Sequence, residues 1–326
     1  MKILHDIHTH NVMSLCCGDP NATTENYIRE EERLGMKIFG LSNHIWDERV
    51  KGCSEWYGAQ TIRRSLECKS AMKLAAPKNL RCLFGAEAEY YGCYDRLGMT
   101  VEGAQNFDYM LVAESHLHMK NEVMWDYPEV IEARRSIYEK VKKACPELAD
   151  DDVARMTDVL REWRLMKLVP EMKTDIKKFV VEANLHNFNA LMENETFLQI
   201  CRRMPTSVAH PLCLGCLPRD LKNECRSMID DNTLRACFAK AKKAGAYIEI
   251  NISELKGSEP DLSKNGYMRY FRIAKEVGCQ FTFGTDAHAV NALQGVVNFG
   301  GEICELLGLT KNDFAEFVRD SIEEEL

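Results

Sequence analysis

Asp6-Ile7-His8-Thr9-His10 directly follows the short apolar run Ile3-Leu4 near the start of the chain. Side chains alternate along a strand, so a strand over Lys2–Asp6 would be followed by His8 and His10 on one face. Two imidazoles on one face at a strand end can bind a metal ion from the same side. An isolated His-x-His pair is more often one solvated histidine and one bonded to the backbone, because short motifs frequently arise by chance. The interpretation therefore depends on whether similar ligands recur along the chain.

The composition is that of a soluble globular protein. The chain has 326 residues, of which 45% are hydrophobic and 28% charged, and its length falls within the range of a single α/β barrel. The formal net charge of −8 gives no general attraction to long nucleic acid or to anionic membranes, although it is compatible with a local basic pocket.

The sequence also indicates the cellular compartment in which we expect the protein. No apolar run approaches the ~20 residues of a membrane span, and the N-terminus lacks a signal-peptide pattern. The 14 cysteines lack the spacing of a small disulfide scaffold. We therefore expect a cytoplasmic protein with free thiols and a single domain over residues 1–326.

Short apolar segments alternate with stretches of helical periodicity. The seven predicted strands are Lys2–Asp6, Lys37–Leu41, Leu80–Phe84, Asp108–Ala113, Thr206–Ala209, Ala246–Ile250 and Gln280–Phe283. The predicted helices include Asn26–Leu34, Gln60–Leu74, Thr233–Lys243 and Gly266–Glu276, and Gly35, Gly245 and Gly278 stand where helix C-terminal glycines belong. This alternation predicts a parallel sheet with helices outside it. Seven units, and no G-x-G-x-x-G after a strand, favour a distorted (β/α)7 TIM-like barrel over a dinucleotide-binding sheet.

Two regions depart from the regular spacing. From about 127 to 203 the chain is helical in pattern, charged and punctuated by Pro146 and Pro170. We expect a helical insertion between the fourth and fifth strands, serving as a lid, a dimer surface or additional packing. A final helix is expected over Lys311–Glu323, before an acidic end.

Nearly every predicted strand is followed by a potential metal ligand. In chain order these are His8 and His10, His44, Glu87, His116, His210, Glu249-Ile250-Asn251, and Asp286 with His288. The carboxyl ends of parallel barrel strands open on one face, so the side chains are expected to meet there. Glu89 competes with Glu87, and His118 competes with His116. Cys213-x-x-Cys216 lacks the second ligand pair of a structural zinc site.

The number of ligands exceeds what one ion needs. Zinc takes about four ligands, and a catalytic site leaves one position to water. Two to three clustered divalent ions fit better, with a carboxylate such as Glu87 bridging between them. A mixed set of imidazoles and carboxylates suits zinc, manganese or iron.

The chain resembles the polymerase and histidinol phosphatase (PHP) superfamily of metal-dependent phosphoesterases. The resembling motifs are DIHTH (6–10), LSNH (41–44), GAEAEY (85–90), AESH (113–116), VAHP (208–211) and GTDAH (284–288). The resemblance implies a distorted barrel of seven βα units that holds a trinuclear metal site. Where many members have Asp before the histidine of the second motif, this chain has Asn43.

The resemblance also implies a distribution of ligands over the three ions. The first would be held by His8, His10, Glu87 and Asp286, and the second by Glu87, His116 and His210. The third would be held by His44 and His288 together with one residue from the loop after the first motif. Asp19, after Cys17-Gly18, is our choice for that residue, and Cys17 and Cys16 are the alternatives.

The function expected from the resemblance is a phosphoric monoester hydrolase, histidinol phosphatase-like, acting on a small phosphorylated substrate. Histidinol phosphate, and hence a role in histidine biosynthesis, is the leading candidate. Clustered cations lower the pKa of a bound water, so a metal-bridging hydroxide would be the nucleophile. Arg219, after the fifth strand, is the candidate for phosphate binding, ahead of Arg269 and Arg272.

Three other functions are compatible with a metal-binding barrel. A phosphodiesterase or nuclease would act on nucleotides or short oligonucleotides, although the acidic chain lacks a basic aromatic stripe for long nucleic acid. Amidohydrolase barrels also begin with His-x-His, but they typically bridge their metals with a strand lysine, and this chain has no lysine at an equivalent strand end. A catalytically inactive binding module would not need the near-complete ligand set.

Overall fold

The computed structural model of the chain describes residues 1–53, 56–91, 95–115, 173–214, 219–258 and 261–324, with a few isolated positions between 135 and 147. Its strands are β1 (Lys2–Ile3), β2 (His5–Asp6), β3 (Ile38–Leu41), β4 (His44–Ile45), β5 (Arg81–Tyr91), β6 (Arg96–Leu97), β7 (Tyr109–Ala113), β8 (Thr206–Ala209), β9 (Tyr247–Asn251), β10 (Phe281–Gly284) and β11 (Ile322–Glu323). Its α-helices are α1 (Thr24–Arg33), α2 (Ile62–Ala75), α3 (Val101–Ala104), α4 (Lys173–Leu191), α5 (Glu195–Cys201), α6 (Arg219–Ser227), α7 (Asp231–Ala244), α8 (Ile252–Ser258), α9 (Gly266–Val277) and α10 (Gly295–Leu307).

Seven parallel strands form a nearly closed barrel surrounded by helices. Their order is β10-β9-β8-β7-β5-β3-β2, with every neighbouring pair parallel. Residues just beyond β2 complete the ring, because the backbone N–H of Ile7 donates to the carbonyl of Phe283 at 3.1 Å and that of Asp286 donates to His8 at 2.7 Å. The predicted TIM-like (β/α)7 fold is therefore confirmed.

The third barrel strand is longer than the sequence predicts. β5 continues from Arg81 to Tyr91, because β3 pairs with its first half and both β4 and β7 pair with its second half. Glu87 consequently lies inside a strand and not after one. The predicted helix ends are more accurate, since Gly245 and Gly278 end α7 and α9 with positive φ angles of 80° and 82°.

The predicted final helix over Lys311–Glu323 is wrong. The segment instead forms two 3₁₀ turns, Lys311–Asp313 and Glu316–Ser321, followed by β11, which pairs antiparallel with β1. Phe314 is completely buried between these turns and stacks on Phe283 beneath the barrel, with ring centroids 5.9 Å apart. Packing against the barrel therefore overrides the local helical pattern.

The chain between β7 and β8 contains a helical insertion, as predicted. Its described part holds α4 and α5, whereas residues 148–172, with the amphipathic stretch 158–163, lie outside the described residues. The single-domain assignment for 1–326 stays a prediction. No helix in the described ranges is long and apolar enough to cross a membrane.

An acidic side chain of helix α1 is buried without a hydrogen-bond partner among the described residues. Glu31 of α1 is completely buried, and neither carboxylate oxygen has a hydrogen-bond partner among the described residues. Burial, reinforced by the carboxylates of Asp6 and Glu30, raises the pKa of Glu31 well above its usual range. The folded protein therefore holds this side chain protonated, and Glu31 opposes folding at pH values where the unfolded chain ionises it.

We expect Glu31→Gln to raise the free energy of unfolding at pH 8 and to change it little at pH 4. A carboxyl group whose pKa is raised by folding makes the native state bind more protons than the unfolded state, so stability falls as the pH rises above the unfolded pKa of about 4.3. Gln has a similar size and no charge to bury.

Urea unfolding of the chelated protein at both pH values measures the effect. Glu32→Gln, at an exposed position of the same helix, is the matched control and should have little effect at either pH. Equal effects of Glu31→Gln at pH 4 and pH 8 would contradict the account.

Candidate metal centre

Seven of the nine residues that the sequence proposes as metal ligands lie together at the carboxyl end of the barrel. They are His8, His10, His44, Glu87, His210, Asp286 and His288. His116 lies outside the described residues, and so does its competitor His118. Arg219 begins α6, but its side chain is likewise outside the description.

Glu87 stands at the centre of this cluster. Its Oε2 lies 3.0 Å from His44 Nδ1, 3.3 Å from His10 Nε2 and 3.4 Å from His8 Nε2. Its Oε1 lies 3.0 Å from His210 Nε2 on the other side. The carboxylate thus faces four imidazoles with both oxygens, which is the arrangement that a bridging ligand needs. Glu89, the competing candidate, instead accepts a hydrogen bond from the Tyr57 hydroxyl at 3.0 Å.

The spacing of the ligand atoms fits a divalent metal centre. Around a tetrahedral zinc ion with bonds of about 2.0–2.1 Å, neighbouring ligand atoms lie roughly 3.3 Å apart. His8 Nε2 and His10 Nε2 are 3.0 Å apart, and Asp286 Oδ1 lies 3.2 Å from His10 Nε2 and 3.6 Å from His8 Nε2. Within the described part of the chain, three groups have all their ligand atoms within 4.8 Å of one another, namely His8-His10-Glu87, His8-His210-Asp286 and His10-Cys16-His44-His288.

Partners behind the imidazoles orient them toward the cluster. His8 Nδ1 lies 2.6 Å from Glu249 Oε1, His210 Nδ1 lies 3.0 Å from the Ser115 hydroxyl, and His288 Nδ1 lies 2.8 Å from the Asp286 carbonyl. In metal sites such contacts from one ring nitrogen fix the tautomer and leave the other nitrogen free to bind the ion. The ring orientation is therefore set before any metal arrives.

Glu249 has a larger role than the sequence suggests. It lies within β9, is completely buried, and accepts hydrogen bonds from the His8 ring and from the backbone N–H of His210, the latter at 2.6 Å. A Cβ atom at Gly284 on β10 would overlap both Glu249 Oε1 and His8 Cβ, so glycine is needed beside this pair. An acidic residue inside an otherwise apolar strand was the signal in the sequence, but its partners could be identified only from the fold.

Two cluster residues have strained backbones. His210 has φ of 29° and Asp286 has φ of 55°, in the left-handed region that non-glycine residues avoid. Such conformations cost about 1–3 kcal/mol each and persist where surrounding contacts impose them. Glu249 accepts a hydrogen bond from the backbone N–H of His210, and the His8 carbonyl accepts one from the backbone N–H of Asp286. The same residues therefore fix both the side chains and the backbone of the cluster.

The charges of the cluster depend on one another. Burial alone would raise the pKa of Glu87 and of Asp286, but the adjacent imidazoles hold both well below the usual range. Burial alone would lower the pKa of His8 and of His210, but adjacent groups raise both, Glu249 foremost for His8 and Cys213 for His210. Without a cation, protons on the imidazoles therefore offset the buried carboxylates.

In the loop after the first motif, the residue that lies nearest the other candidate ligands is Cys16 and not Asp19. Asp19 lies outside the three ligand groups, because its carboxylate accepts from the backbone N–H groups of Asn21 at 2.9 Å and Val290 at 3.4 Å. Cys16 belongs to one of these groups, and its Sγ lies 3.0 Å from His288 Nε2. The Cys17 thiol instead donates to the His288 carbonyl at 3.1 Å.

Asn43, where the sequence resemblance leads us to expect an aspartate, anchors this loop. Its Oδ1 accepts from the Asn11 backbone N–H at 2.9 Å and from the Ser14 hydroxyl at 3.0 Å, while its Nδ2 donates to Asn11 Oδ1 at 2.9 Å. An aspartate could accept these bonds but could not donate the third. The amide therefore suits the loop conformation that presents Cys16.

The nearly closed barrel is similar in fold to a solved histidinol phosphate phosphatase structure. Among solved structures it is similar to the histidinol phosphate phosphatase (HISK) of Lactococcus lactis subsp. lactis Il1403, a complex with zinc, L-histidinol and phosphate. The two share 11% identity over 95% of each chain, with a TM-score of 0.51. A second match is a candidate histidinol phosphatase (hisK) from Listeria monocytogenes, 13% identical over 89% of this chain and 97% of that one, with a TM-score of 0.49. No protein-family model and no curated protein sequence matches the chain.

We expect Glu249→Gln to weaken metal binding by about 10–100-fold, the usual effect of losing a partner behind a metal-bound histidine. The amide can neither balance the His8 ring charge nor accept two hydrogen bonds with full strength. Competition of zinc with a chromophoric chelator measures the affinity. Glu254→Gln, at a carboxylate on the neighbouring α8 that pairs with Arg226 and Lys222, is the control. Unchanged zinc affinity in Glu249→Gln would contradict this role.

Zinc binding should release protons and weaken as the pH falls from 8 to 6. The pKa values of His8, His10 and His210 are raised in the metal-free cluster, so the ion must displace protons held there. Titration calorimetry in buffers of different ionisation enthalpy counts these protons. His186→Ala, which removes an exposed histidine of α4, should leave the count unchanged. Binding without proton release would show that the imidazoles are already neutral.

Proposed function

We propose that the protein is a metal-dependent phosphoric monoester hydrolase that acts on a small phosphorylated substrate. The observation that carries this proposal is the convergence of five imidazoles and two carboxylates, including the central Glu87, at the carboxyl end of the barrel. Active sites of such barrels lie at that end. The Lactococcus lactis protein with the same fold is a histidinol phosphate phosphatase, which supports the same reaction class here.

The ligands would serve two to three divalent ions of zinc, manganese or iron. We assign His8, His10, Glu87 and Asp286 to the first ion and Glu87, His116 and His210 to the second. His44 and His288 belong to the third. When bound, such ions supply Lewis acidity that lowers the pKa of a water molecule and offsets the charge that develops on phosphoryl oxygens.

The chain itself supplies orientation and charge balance. Glu249 and Ser115 hold His8 and His210 in place, so the donor atoms do not need to reorganise when a substrate enters. Arg219, at the start of α6, is our candidate for a bidentate clamp on the phosphate dianion. Arg269 is less suitable because its guanidinium already donates to Asp231 at 2.8 Å.

The composition of the site favours a phosphatase over an amidohydrolase. Glu87 of β5 would bridge the ions, and the described barrel strands carry no lysine at their carboxyl ends. A phosphodiesterase acting on nucleotides or short oligonucleotides would use the same ions, so the distinction from a monoesterase depends on the substrate screen below. Histidinol phosphate is the first substrate to test.

We expect hydrolysis of nitrophenyl phosphate and of histidinol phosphate by protein loaded with zinc, manganese or iron, and a slower reaction with bis(nitrophenyl) phosphate. Glu87→Gln should lower kcat/KM by at least about 100-fold, since it removes a direct ligand and not only a partner behind one. His186→Ala is the matched control and should retain full activity. Faster turnover of the bis-ester would favour the phosphodiesterase, and metal-loaded protein without ester hydrolysis would refute the proposal.

A further inference from the structure

Cys16 lies in the loop between β2 and α1, at the edge of the candidate metal centre. Its Sγ is 3.0 Å from His288 Nε2, and it forms one ligand group with His10, His44 and His288, whose donor atoms lie within 4.8 Å of one another. A thiol among three imidazoles is a different donor set from the carboxylate-bearing groups around Glu87 and Asp286.

The loop is held so that Cys16 faces the imidazoles. On one side of it the Ser14 hydroxyl binds Asn43, and the Leu15 backbone N–H donates to the Gln60 side chain at 3.0 Å. On the other side the Cys17 thiol donates to the His288 carbonyl at 3.1 Å. The two adjacent cysteines therefore make different contacts. The Cys17 thiol bonds to the backbone of His288, whereas the Cys16 sulfur faces the His288 ring.

The His288 ring presents one nitrogen to this sulfur. His288 Nδ1 is engaged by the Asp286 carbonyl, which leaves Nε2 facing Cys16. The His10 ring stacks between His44 and His288, with centroid separations of 4.4 and 4.6 Å. His10 Nε2 also faces His8, Glu87 and Asp286, and one nitrogen binds one ion. Cys16, His44 and His288 would therefore be the protein ligands of the third ion. A tetrahedral ion would keep its fourth coordination position for water or a phosphoryl oxygen.

We propose that Cys16 binds the third ion as a thiolate, in place of the expected Asp19, and that this makes one position of the centre selective for zinc-like ions. Thiolate and imidazole donors favour zinc over manganese, whereas carboxylate-rich positions accept manganese readily. The proposal rests on the proposed function, since it concerns the same metal centre. We therefore expect metal positions that differ in their preference for metals, with the Cys16 position excluding manganese.

Cobalt(II) substitution tests the sulfur ligand directly. Cobalt-loaded wild-type protein should show a sulfur-to-cobalt charge-transfer band in the near ultraviolet. The band should be lost in Cys16→Ser and retained in Cys17→Ser and Asp19→Ala, which are the matched controls within the loop. Cys16→His should keep the third ion while losing the band, and circular dichroism verifies that each variant is folded.

Metal competition tests the selectivity. Wild-type protein dialysed against excess manganese and limiting zinc should retain one zinc ion per chain, and Cys16→Ser should exchange that ion for manganese or lose it.

Three results would overturn the inference: a fully loaded cobalt protein without the band, a band that persists in Cys16→Ser, or loss of the third ion in Asp19→Ala but not in Cys16→Ser. If the band is absent while monoesters are hydrolysed, the proposed function stands and the thiolate ligand is refuted. If the band depends on Cys16 but no ester is hydrolysed, the thiolate ligand stands and the proposed function is refuted.

Discussion

The structure depends on one electrostatic constraint, the burial of the Glu87 carboxylate inside the barrel. A carboxylate removed from water costs several kcal/mol unless opposite charges and hydrogen-bond donors surround it. Four imidazoles approach Glu87 within 3.0–3.4 Å and hold its pKa well below the usual range despite complete burial. The imidazoles belong to β4 and to the chain segments that follow β2 and β8. This one carboxylate therefore contacts three separate parts of the barrel.

The residues around the cluster can be understood from the same constraint. Imidazoles stabilise a buried anion, or bind cations beside it, only if their rings keep one orientation, and Glu249 and Ser115 provide that orientation. The left-handed backbones of His210 and Asp286 bring their side chains to the centre, and hydrogen bonds to Glu249 and His8 hold them there. Gly284 leaves the space that the His8–Glu249 pair occupies. The side chains at this end of the barrel are thus held in place at a cost in local strain.

Much of the fold and most of the cluster can be predicted from the sequence because both follow short-range rules. Apolar segments alternating with helical periodicity predict the seven strands, and ligands at strand ends predict that His8, Glu87 and Asp286 converge. The features that the sequence does not predict involve long-range contacts. Lys311–Glu323 has a helical pattern but packs beneath the barrel as turns and a strand. The contacts that distinguish Asp19 from Cys16 are also long-range, since the Asp19 carboxylate accepts a hydrogen bond from the Val290 backbone N–H.

The role that we propose for Glu87 is to organise a centre of two or three divalent ions at the carboxyl end of the barrel. Anomalous diffraction at the zinc absorption edge, from crystals of the zinc-loaded protein, tests it most directly. We expect two or three anomalous peaks, with Glu87 in contact with two of them and the peaks surrounded by the imidazoles of His8, His10 and His210. A single peak, or peaks that do not contact Glu87, would contradict it.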